Sequence, residues 1–65
     1  RIPYSVPDDG AEHHIRVDVE EEDENRTVYE KKHKAGEKVK VEFEVKSMKR
    51  KIRLFDNDQL KGEVE

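Results

Sequence analysis

Residues 38–46, Lys-Val-Lys-Val-Glu-Phe-Glu-Val-Lys, alternate charged and apolar side chains without an error. A pleated strand sends successive side chains to opposite faces, so Val39, Val41, Phe43 and Val45 fall on one side and the charges on the other. A disordered chain has no reason to keep such a phase. A strand with one apolar face must bury it against another element, and further strand patterns supply the partners. Ile15-Arg16-Val17-Asp18-Val19 repeats the alternation, and Ile2 to Val6 does so more weakly. Ile52-Arg53-Leu54 follows the same rule, with Phe55 out of phase, and a last run covers 60–64. Thr27-Val28-Tyr29-Glu30 is β-branched and aromatic but too short to reveal its buried face. Nowhere do apolar residues recur at helical spacing.

Turn chemistry falls between these runs. Pro7-Asp8-Asp9-Gly10, Glu22-Asp23-Glu24-Asn25, Ala35-Gly36 and Asp56-Asn57-Asp58 are clusters of the residues that favour turns. Asn25 can supply the positive φ of a hairpin, and 56–58 reads as a second tight hairpin. The expectation is an all-β fold: a small antiparallel β-sandwich, Ig-like or meander, of five to six strands. Val17, Val41, Phe43 and Leu54 are the in-phase centres of the best patterns and are expected in one core. Lys and Glu on the outer faces are expected to pair across strands and protect the edges.

At 65 residues, the chain is one β domain, 1–65, with 31% apolar and 48% charged residues. It has no cysteine, which removes disulfides, thiol catalysis and thiolate zinc sites. No run approaches the about 20 apolar residues of a membrane span, so this domain is not expected to insert into a bilayer. The chain reads as a fragment of something longer.

Candidate chemistry is sparse. The acid run 20–24 lacks the alternate ligands and the glycine of a calcium loop, and 56–58 opens like an EF-hand but has Lys61 at the sixth position. His13 and His14 are adjacent, so a strand points them to opposite faces, and they read with His33 as surface or strand-end histidines. No metal and no cofactor is expected. Ser5, Ser47 and Thr27 sit in no nucleophile turn, and no Gly-rich phosphate loop exists, so the domain is not expected to be an enzyme. The sharpest feature is the basic run 46–53. Lys46, Lys49, Arg50, Lys51 and Arg53 stand without an acid, whereas 8–24 holds nine acids against Arg16 alone. These five bases are the candidate binding residues. They suit an anionic polymer, and the alternative function is a stand-alone β module whose basic edge contacts nucleic acid or another polyanion. Nucleic acid is the weaker match, because no aromatic side chain interleaves the run for base stacking.

Three segments carry a resemblance: Val6-Pro7-Asp8-Asp9-Gly10 before a strand, Val28-Tyr29-Glu30-Lys31-Lys32-His33, and Leu54 through Glu63. They resemble the small β-rich, Ig-like domain at the extracellular C-terminus of Gram-positive Ser/Thr protein kinases that carry PASTA repeats. The glycine usual in the last turn of that family is replaced by Asn57 or Asp58, and the acid run after Val19 is longer. The resemblance implies a parent chain with an ATP-binding kinase inside the bacterial cell, one membrane helix and a PASTA stalk outside. This domain would then be a non-catalytic extracellular binding or spacer module at or near the tip. Its implied partners are an anionic cell-wall polymer or a neighbouring PASTA module. No catalytic or muropeptide-binding residue transfers.

Overall fold

A computed structural model describes residues 2–22, 24–43 and 49–64. They form six strands: β1 (Ile2–Ser5), β2 (His13–Glu21), β3 (Asn25–His33), β4 (Lys38–Val41), β5 (Arg50–Asp56) and β6 (Gln59–Val64). All described pairings are antiparallel. One sheet has the order β3-β2-β5-β6, and the other consists of β1 and β4. β3 and β4 are consecutive but lie in different sheets, so the fold is a sandwich and not a meander. Of the 38–46 alternation, β4 carries the first half, while Glu44, Val45 and Lys46 lie outside the described residues.

The alternations of the sequence become the inner faces. Ile15, Val17 and Val19 on β2 are fully buried, and Ile52 and Leu54 on β5 stand beside them. Val39, Val41 and Val6 close the core from the smaller sheet's side. Burying each of these side chains stabilises the fold by about 1.5–3 kcal/mol. Of the four residues expected at the core, Val17, Val41 and Leu54 are buried, while Phe43 is half-buried and packs at the margin. Val6 lies beyond β1 but is held by its N–H donating to the Glu37 carbonyl at 2.9 Å, while its own carbonyl accepts from Gly36. Gly36 has φ +80°, a backbone position that penalises any side chain.

Two hairpins are built differently. The β5–β6 turn places Asn57 at φ 51° and Asp58 at φ 66°, the two positive values of a type I′ turn. Asn and Asp tolerate this region, which explains the missing glycine. Asn57 is also sewn to β2, accepting the His14 N–H on its side chain and donating its own N–H to the His14 carbonyl, each at 2.9 Å. The β2–β3 connection does not use Asn25 in a turn, because Asn25 already belongs to β3 and pairs with Glu20. Phe55 is out of phase because the inward position after Leu54 is Asp56. Phe55 faces outward, with the Arg16 guanidinium 4.4 Å above its ring. A register shift between Leu54 and Phe55 leaves Lys61 as the extra residue on β6. This bulge and lysine blunt an otherwise open edge strand.

Candidate functional site

The inward rows of β2 and β5 each end on a polar side chain. Two residues before Ile15 comes His13, and two after Leu54 comes Asp56, so strand phase delivers both to the interior. His13 is 6% exposed and Asp56 3%. The His13 Nδ1 lies 2.6 Å from Asp56 Oδ1. Its Nε2 lies 2.9 Å from both carboxylate oxygens of Asp9, on the connection between β1 and β2. Tyr4 on β1 donates its hydroxyl to Asp56 Oδ2 at 2.7 Å. The four side chains therefore link the smaller sheet, the 7–12 connection and the larger sheet at one end of the sandwich.

The electrostatics follow from these bonds. The hydrogen bonds to Asp9 and then Asp56 raise His13 above its ordinary 6.5, and they outweigh the burial that opposes charging. Asp9 is lowered below its ordinary 3.8, mainly by the His13 hydrogen bond and then by the Ala11 N–H. Burial and the bond to Asp56 push Tyr4 up to about 12. Both imidazole nitrogens face carboxylates, so neither is presented to a substrate as a base, and the adjoining tyrosine is tuned away from nucleophilicity. An open polar cleft of about 290 Å³ adjoins this network and is lined by Asp9, His13, Asp56, Asn57, Gln59 and Lys61, with Pro7 at its rim.

A second histidine stands close by. His33 is the strand partner of His13 across β2 and β3. Its Nε2 lies 2.6 Å from the Tyr29 hydroxyl, the two rings stack at 6.0 Å, and its Nδ1 is 3.6 Å from Glu37. Glu37 is lowered, chiefly because its carboxylate accepts the Lys34 N–H and secondarily because of His33. All three histidines lie at strand ends, His13 and His14 opening β2 and His33 closing β3, and the surface reading holds for His14, which lies partly exposed, 2.9 Å from Glu30. The surface reading fails for His13, which is buried because the inward row of β2 starts two residues before its first apolar member, Ile15. The three histidines do not converge, and no group of three His, Asp or Glu side chains is arranged to hold a metal ion among the described residues.

The basic run meets the acid run. β5 pairs with β2 so that Arg50 stands opposite Glu21, Lys51 opposite Glu20, and Arg53 opposite Asp18. Arg53 is bonded on both sides, at 2.8 Å to Glu20 and 2.8 Å to Glu63. This fork raises Arg53, with Glu63 the larger cause, and lowers Glu63. Lys49, Arg50 and Lys51 are engaged as well. Lys46 lies outside the described residues. The segregation of charge along the sequence is thus largely cross-strand complementarity in space.

An apolar groove runs between β1 and β6, lined by Pro3, Tyr4, Ile52, Leu54, Gly62 and Val64, with Lys61 beside it. It exists because two strands cover four. Val64 and Leu60, each 52% exposed, are the large apolar side chains most open to solvent among the described residues. No family model, no curated protein and no solved structure matches this chain.

Proposed function

We propose that the chain is a non-catalytic module at the tip of a longer, membrane-anchored protein on the outer face of a bacterial cell. PASTA-bearing receptor Ser/Thr kinases are the context that the sequence resemblance supplies. The observation that carries the tip reading is the placement of the outer ends of β1 and β6. β1 runs from Ile2 toward Val6 and the 34–37 turn, the end where Tyr4 meets Asp56. β6 runs the other way, from Gln59 opposite Asp56 to Val64 opposite Ile52. Ile2 and Val64 therefore lie at the same end, so a chain continuing from either leaves there. A module joined in that way hangs from its neighbour and does not lengthen a stalk in line. Its extents of 38 × 18 × 16 Å make it a short finger.

β5 begins at that same end, so Lys49, Arg50 and Lys51 lie near where a neighbouring module would join, and this favours a module contact over a wall polymer. Pairing with the acids of β2 also weakens the case for a polyanion surface. The test compares the wild type with a Lys49→Glu, Arg50→Glu, Lys51→Glu variant in a chain extended by its preceding module. The expected result is that the variant loses the stabilisation the neighbour gives to wild type, while titration with teichoic-acid-type polymer or single-stranded nucleic acid does not separate the two. A salt-sensitive affinity for either polymer that the variant abolishes would favour the polyanion alternative. A parent gene without kinase motifs and a membrane span upstream would remove the receptor-kinase context.

A further inference from the structure

We propose that His13 is a proton-operated latch that holds the 7–12 connection onto the sandwich and releases it when the imidazole loses its proton. The inference rests on counting hydrogens. Imidazolium carries two N–H donors, and here each faces a carboxylate: Asp56 at 2.6 Å and Asp9 at 2.9 Å. Neutral imidazole carries one. After deprotonation, one nitrogen must present a lone pair to a carboxylate, which repels it.

Geometry decides which carboxylate lets go. Asp56 is buried and needs its donors, because a buried carboxylate without partners is costly. It keeps Nδ1–H and the Tyr4 hydroxyl. The Asp9 side chain is 48% exposed, so water replaces what it loses. Asp9 also accepts the Ala11 N–H at 3.0 Å, so a displaced carboxylate takes the local turn with it. Freeing Asp9 uncovers the His13 edge of the polar cleft, which Asn57, Gln59 and Lys61 also line.

The surrounding charges bias this step from every side. β1 contributes Tyr4, the connection contributes Asp9, β5 contributes Asp56, and Lys61 of β6 lines the same cleft. From β3 comes His33, tied to Tyr29 and Glu37. Burial is what opposes the charging of His13. The two carboxylates favour it from within hydrogen-bond distance.

The experiment follows the His13 ring and the amides of 9–12 together by NMR and hydrogen exchange between about pH 5 and 8.5. The expected result is one shared midpoint above 6.5, with exchange of the Ala11 amide, corrected for its intrinsic pH dependence, rising by at least about tenfold across it. Asp9→Asn changes a half-exposed residue and is expected to fold. It should lower the His13 midpoint and remove the pH dependence of the 9–12 amides, while His33→Gln preserves both. Equal protection of 9–12 on either side of the His13 midpoint would overturn the proposal, as would a pH-dependent opening that persists in Asp9→Asn.

Discussion

The two ends of the sandwich are held by different physics. Around Val19, Val41 and Ile52 the sheets meet through aliphatic side chains, an attraction that is non-directional and insensitive to protons. Around His13, Asp56, Tyr4 and Asp9 they meet through four polar side chains whose geometry and protonation must both be right. The first end tolerates small shifts; the second can be switched. With eight buried apolar side chains in the core among the described residues, ending the inner rows on a polar network leaves one end responsive to its surroundings.

The largest effect should come from the aliphatic end. Ile52→Ala removes a buried side chain there and is expected to cost about 2–5 kcal/mol, with a loss that urea unfolding finds equal at acid and neutral pH. A loss that changed with pH would mean the two ends are not separable. Tyr4→Phe attacks the polar end without making a cavity. It deletes one donor to a charged group, which should cost about 1–2 kcal/mol and, by leaving Asp56 less satisfied, should move the His13 midpoint upward in an NMR titration. Phe43→Ala should cost about 1–2 kcal/mol, less than the usual value for a central phenylalanine, because the ring sits half-buried at the margin of the core. A cooperative melt lowered by about 4–16 °C is expected for that variant.

The smallest and most specific effect is the pH profile of the polar end. His13 is raised in the folded state, so its contribution is complete below its ordinary 6.5 and is lost as pH rises through the folded value. Asp9 is lowered, so its contribution is present above its ordinary 3.8 and is lost as pH falls through the folded value. Stability should therefore decline at both edges of this window, and His13→Gln should flatten the alkaline edge. An unchanged alkaline edge in that variant would assign the effect to another group.

Strand identity was legible because alternation is a one-dimensional signal: the runs at 15–19, 27–30 and 52–54 lie in strands, and the run 38–46 does so over 38–41. Pairing order was not legible, since nothing in residues 38–41 says that β4 leaves the sheet containing β3. The buried network was half visible. The phase of Ile15 and Leu54 points to His13 and Asp56 two positions outside, but an apolar pattern read only through apolar letters stops before it reaches them. Asp9 and Tyr4 carried no signal, because their roles depend on a connection folding back across the sandwich. The acidic partners of the basic run were hidden for a related reason. Charge counted along the chain ignores the neighbour across the ladder, and Glu20 and Glu21 lie about thirty positions from their partners.

The shared end of Ile2 and Val64 also sets how the fold responds to tension. A load applied through both ends would draw β1 and β6 apart sideways, with no ladder joining them to carry it in shear. The bonds of β6 to β5, and of β1 to β4, would then open one after another, as a zipper does. Such a geometry is expected to yield at a lower force than one that loads a ladder in shear, so under strain the domain would act as a fuse and not as a strut.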